Sequence, residues 1–187
     1  PGVLFLNSSD APMNWYIYQS PELNNLTIQN SVDVLGDDDD YRVTVNGNYR
    51  HEDGIVSLGP IDLIIANTGS FARLNGTYQA TTGYLIQRSP AFDQGSGGAS
   101  FEIPNFRIVV MADFLTAGTD SFKVTKRMDL FNGGYNRFWH KGFLQIENGV
   151  TFRYASGSFD VVPNYFGTIR LIGVHSTDIT VPAVVWP

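Results

Sequence analysis

The residues best able to ligate a metal or move a proton near neutral pH are the three histidines, His51, His140 and His175. His51 is followed directly by Glu52 and Asp53, which invites a metal or acid–base reading. Adjacent residues on a strand point to opposite faces, so the three do not readily converge. We read this triplet as a solvated turn. Four glutamates, Glu22, Glu52, Glu102 and Glu147, are candidates for paired-carboxylate glycoside hydrolysis, which needs two acids facing each other across a cleft. No spacing among them produces such a pair. The nucleophile elbow G-x-S-x-G, the zinc motif H-E-x-x-H and the phosphate loops are absent. With no cysteine, thiolate zinc sites, disulfide frameworks and cysteine nucleophiles are excluded.

Two further groups remain. Asp37, Asp38, Asp39 and Asp40 are consecutive, and several carboxylate oxygens together suit calcium, the one cofactor the sequence allows. They lack the alternate spacing of a calcium loop, and a solvated acidic loop is the competing reading. The second group is aromatic. Tyr135, Asn136, Arg137 and Trp139 combine stacking rings with hydrogen-bonding side chains, the chemistry by which a sheet surface holds a sugar. The same residue types also fill cores and subunit interfaces.

The elements that must position these groups are strands. Apolar and polar residues alternate at Tyr41–Val45, Phe122–Lys126, Gly142–Ile146 and Val150–Tyr154, as strands with one buried face require. Asn46-Gly47, Asn75-Gly76, Asn132-Gly133, Asn148-Gly149 and Asp53-Gly54 supply turn chemistry between them and predict tight hairpins. The pattern gives about ten to twelve short strands, with no convincing helical period and no internal repeat. The expected fold is all-β, a jelly roll or related antiparallel β-sandwich in one domain spanning 1–187. The Gly/Ser-rich stretch 89–100 reads as a flexible loop. Residues 1–10 and 178–187 read as arms. Within the second, Val181, Val184, Val185 and Trp186 are candidate interface residues.

From Phe101 onward the order of elements resembles the second half of the complement-type and tumour-necrosis-factor-like jelly rolls. The likeness is carried by the strand after Phe101, the Asn148-Gly149 hairpin and the Phe166-Gly167 pair. It implies a jelly roll and a homo-oligomer, as in viral and phage fibre heads, and the first half of the chain does not conform to the pattern.

The 187 residues carry 12 Lys and Arg against 18 Asp and Glu, a net charge of −6, which argues against nucleic acid as a partner. No apolar run approaches the roughly 20 residues of a membrane helix, and the start has no basic region of a signal peptide. Pro1 reads as a native start, though a cleaved precursor would look the same. These features together predict a non-enzymatic virion protein, either a capsid, decoration, fibre-head or tail component of a bacteriophage. It would assemble with itself and with other virion proteins. The alternatives are a carbohydrate-binding module or receptor-binding head, secreted or extracellular and engaging a surface glycan, and a β-sandwich glycan hydrolase or lyase.

Overall fold

The computed structural model describes residues 2–7, 12–79, 82–96, 101–110, 114–116, 121–132, 138–139, 142–146, 151–156 and 167–171. They form a β-solenoid of about five turns in which the paired strands are parallel. The first rung is β1 (Val3–Leu6), β2 (Met13–Ile17) and β3 (Glu22–Leu23). The second is β4 (Asn25–Ile28), β5 (Val32–Gly36) and β6 (Arg42–Val45), and the third β7 (Asn48–His51), β8 (Ile55–Ser57) and β9 (Asp62–Ile65). The fourth is β10 (Ser70–Arg73), β11 (Thr77–Gln79) and β12 (Leu85–Gln87). Beyond it run β13 (Ala91–Asp93), the long β14 (Phe101–Val110), β15 (Phe114–Thr116) and the long β16 (Ser121–Asn132). The last strands are β17 (Phe138–Trp139), β18 (Gly142–Ile146), β19 (Thr151–Ser156) and β20 (Gly167–Leu171).

Strands stack on their counterparts one rung away, giving three sheets. Sheet A has the order β1-β4-β7-β10-β13-β15-β17 and sheet B β2-β5-β8-β11. Sheet C runs from β3 through β6, β9, β12, β14, β16 and β18 to β20, with β19 beside β16. Register partners lie between 19 residues apart, as in Met13 and Val32, and 25 apart, as in Gly142 and Gly167. Most steps are close to 22, as in Val3 with Asn25, Asn48 with Ser70 and Thr77 with Ile55.

This overturns the expected jelly-roll sandwich and the likeness to tumour-necrosis-factor-like domains. Asn46-Gly47 does not join paired strands, because β6 pairs with β3 and β9 while β7 pairs with β4 and β10. Asp53-Gly54 and Asn75-Gly76 are corners between sheets A and B. Asn148-Gly149 lies outside the described residues, but the flanking β18 and β19 pair with β16, not with each other. The physical reason is that alternation reports one buried face and is silent on strand direction. A solenoid corner also needs the same positive-φ residues as a hairpin turn. Gly54 (φ 86°) and Gly76 (φ 107°) hold that conformation at equivalent corners, which are 22 positions apart.

The inward side chains of successive rungs form columns, and these columns are the core. Leu26, Tyr49, Phe71 and Phe92 succeed one another on sheet A. Phe71 stacks on Tyr49 at 5.2 Å and on Phe92 at 4.5 Å between ring centroids, and Phe101 joins them from β14. On sheet B, Val32, Val56 and Tyr78 continue the filling, and on sheet C Val43, Leu63, Leu85 and Phe106 do so. Each buried aliphatic or aromatic side chain stabilises by roughly 1.5–3 kcal/mol. Corners are tied by polar ladders: Asn30 Nδ2 donates to Asn7 Oδ1 (2.9 Å), Gln29 Nε2 to Glu52 Oε2 (2.8 Å) and Asn75 Nδ2 to Asp53 Oδ1 (3.3 Å). Of the stretch 89–100, read from the sequence as a flexible loop, Ala91–Asp93 form β13 of sheet A and Ser89 and Gln94 are buried, while 97–100 lie outside the described residues. Residues 3–6 of the expected N-terminal arm are β1, laid against β4.

Candidate functional site

The outer face of sheet C holds an open groove of about 460 Å³ across the first four rungs. Its centre is a row of outward positions in register, Glu22 on β3, Thr44 on β6 and Ile64 on β9. At about 4.8 Å per strand, this row spans about 10 Å. Arg42 closes one side of it. Asn46, Ala66, Asn67, Thr68 and Arg88 form the other, where sheet C turns toward sheet A.

The floor is held by backbone. Thr44 N–H donates to the Pro21 carbonyl (2.9 Å), Asn46 N–H to Leu23 (2.8 Å), Ala66 N–H to Val45 (2.9 Å) and Arg88 N–H to Ile65 (2.9 Å). The Thr68 hydroxyl donates to the Asn46 carbonyl at 2.8 Å, so its lone pairs stay available. Parity explains the lining. Val43, Val45, Leu63 and Ile65 point inward, so the residues between and beside them must point out. Ile64 is an outward position, yet only 2% of its surface is exposed, which makes it an apolar floor under a polar rim.

Arginines concentrate on this face. Arg42 and Arg88 are exposed, and neither makes a salt bridge among the described residues. Farther along the same sheet, Arg107 lies 4.2 Å and Arg127 5.7 Å from the Tyr84 ring centroid. Asp62 sits in register beside Arg42 and accepts the Tyr84 N–H at 2.8 Å. Burial pushes the Asp62 carboxyl above the usual range, against the pull of that hydrogen bond and of Arg107 and Arg42.

The residues singled out from the sequence lie elsewhere. Asp37, Asp38, Asp39 and Asp40 form an exposed corner between β5 and β6, where Asp38 Oδ1 accepts the Asp40 N–H at 2.9 Å. That is the ordinary use of Asp in a turn. Among the described residues no group of three or more His, Cys, Asp and Glu is arranged to hold a metal ion. Trp139 ends β17, its backbone in register with Leu115. Tyr135, Asn136 and Arg137 lie outside the described residues, as do Val181, Val184, Val185 and Trp186, and His140 and His175.

His51 is the clearest departure. The sequence points to a solvated turn, but the residue faces inward on β7 with no exposed surface. Its ring meets Tyr78 edge-on at 5.1 Å, and neither ring nitrogen has a hydrogen-bond partner of good geometry. Burial lowers its pKa to about 4, and the Arg73 guanidinium adds to the push against the backbone groups of Asp53 and Gly54. Arg73, the next residue of this column, is itself buried, donating from Nε to the Gln94 carbonyl (2.8 Å) and from Nη1 to the Gly76 carbonyl (3.2 Å). His51 and Arg73 are thus successive buried polar members of one inward column.

Compared with family models, curated proteins and solved structures, the chain matches none of them. The jelly-roll and sandwich readings fall with the parallel topology, and neither the fold nor these comparisons support a viral or virion assignment.

Proposed function

We propose that the protein is a non-enzymatic carbohydrate-binding solenoid that lays a glycan chain along the outer face of sheet C. The observation that supports this reading is the groove over Glu22, Thr44 and Ile64, with Asn46, Asn67 and Thr68 beside them. Its rim supplies amide, hydroxyl and guanidinium groups for sugar hydroxyls. Its floor supplies an apolar patch for a sugar C–H face, the usual division of labour in a sugar site. The row is straight and repeats with the rungs, which suits a polymer better than a compact metabolite. The test is calorimetric titration of the chain with a panel of neutral and charged oligosaccharides. Saturable binding that weakens in Thr44→Ala and Asn46→Ala supports the reading. No binding across the panel removes it.

A second reading is association of copies into a longer rod. Strands β1, β2 and β3 each stand at the end of their sheet, with no outer neighbour among the described residues. Phe5, Tyr16 and Tyr18 on that rung are 58%, 56% and 71% exposed, and the two tyrosines stack at 6.3 Å. Unpaired strand edges with exposed rings are surfaces that attract another chain. Light scattering decides it: a concentration-dependent mass that falls to the monomer in Phe5→Lys supports rod formation, and a monomer at all concentrations dismisses it.

A further inference from the structure

We propose that the groove on sheet C selects an acidic sugar, a uronate whose carboxylate is received by Arg88. This rests on the carbohydrate reading above and adds the charge and direction of the ligand. Two arginines, Arg42 and Arg88, line the groove against one carboxylate, Glu22, in a chain that is acidic as a whole. Asp62 beside Arg42 offsets that arginine, so the positive charge the groove has to offer sits at Arg88, which has no salt bridge among the described residues. A guanidinium presents a planar fork of donors that matches a carboxylate in two parallel hydrogen bonds, something a sugar hydroxyl cannot offer.

The two ends of the groove differ. Glu22 stands on the first rung and Arg88 comes directly after β12 on the fourth. Glu22 repels a carboxylate and accepts from hydroxyls, while Arg88, beside Asn67 and Thr68, receives one. The ligand is thereby given a direction along the solenoid axis. Other anionic polymers fit less well. A peptide added as a strand needs an open sheet edge; β6 and β9 are paired on both sides, and β3, the open edge, lies at the Glu22 end, away from Arg88. A single-stranded nucleic acid needs aromatic platforms for its bases, and among the described residues no ring lines this groove.

The experiment uses the full chain and defined probes: oligogalacturonate, oligomannuronate, methyl-esterified oligogalacturonate, single-stranded DNA and inorganic phosphate, each titrated calorimetrically. Expected is saturable binding of at least one uronate oligomer, with affinity reduced about tenfold or more in Arg88→Gln, the loss of a charge-assisted hydrogen bond. Arg88→Lys keeps the charge but loses the fork and falls between. Esterified oligomer binds no better than Arg88→Gln binds the acid. Arg50→Gln, on sheet A, leaves affinity unchanged. Arg88 is exposed, so its variants keep the fold, and circular dichroism checks that. Equal binding of acid and ester, or an indifferent Arg88→Gln, overturns the acidic-sugar inference and leaves the carbohydrate reading standing. Binding of DNA or phosphate as tight as that of the uronates, with the same Arg88 dependence, also overturns it. Failure of every saccharide, neutral or charged, removes both.

Discussion

Burying an imidazole without a hydrogen-bond partner keeps it neutral, and at His51 this ties the stability of the fold to pH through one residue. Its pKa is about 4 in the folded chain against an ordinary 6.5. The unfolded chain therefore binds the proton more readily than the folded one between those values. Stability from this group is intact above pH 6.5 and is lost as the pH falls from 6.5 toward 4. The full loss is on the order of 3 kcal/mol. Urea titrations at pH 7, 5.5 and 4.5 should show a steeper loss of stability in the wild type than in His51→Leu, whose side chain carries no proton. Parallel loss in both chains would show that carboxylates alone set the acid limit. The interior hydroxyls of Tyr49 and Tyr78 hydrogen-bond each other, and burial holds both phenols above their usual range. Polar atoms placed in this core are satisfied by the adjacent rung wherever the column supplies a partner.

Elements in this chain are short strands joined at corners, and the corners carry the strictest demands. At Gly76 (φ 107°) a Cβ would meet His51 Nε2 at 2.6 Å and the Gly54 carbonyl at 2.7 Å. Gly76→Ala should lower stability by about 1–3 kcal/mol, from backbone strain together with displacement of His51. Gly2→Ala, with nothing within 4 Å, should change it by less than about 0.5 kcal/mol. Thermal or chemical denaturation of the pair checks this, and equal effects would mean that the corner is looser than described. The same corners mark the boundary of what the sequence makes legible. Strand positions such as Arg42–Val45 and Gly142–Ile146 are legible because alternation marks a buried face. Direction is not, because Asp53-Gly54 and Asn75-Gly76 look alike in a hairpin and at a solenoid corner. The signal that separates the two is spacing. Asn25-Leu26-Thr27-Ile28, Asn48-Tyr49-Arg50-His51 and Ser70-Phe71-Ala72-Arg73 recur at steps of 23 and 22 with little identity, since only the inward side chains are constrained to fit. The groove is illegible for the same reason. Glu22, Thr44, Ile64 and Arg88 come from four rungs and are neighbours only once the period is known.

At the scale of the whole molecule, each rung touches chiefly the rungs on either side, so stability is close to a sum over neighbours. Amide hydrogen exchange should then be graded. The strands of the second and third rungs in sheets A and C, β4, β7, β6 and β9, lie between two partners and should exchange slowest. Those of β1 and β3, with one partner each, should exchange fastest among the first four rungs of these two sheets. A single uniform exchange rate would instead mark one all-or-none unit. The register step also has a bearing on how such a molecule could change over generations. Losing or gaining one residue inside a strand turns its side chains to the wrong face. Losing or gaining a whole circuit of the chain, about 22 residues, leaves every column continuous and simply shortens or lengthens the groove. In this architecture groove length becomes an inherited quantity counted in circuits, adjustable by duplication without redesign of any single contact.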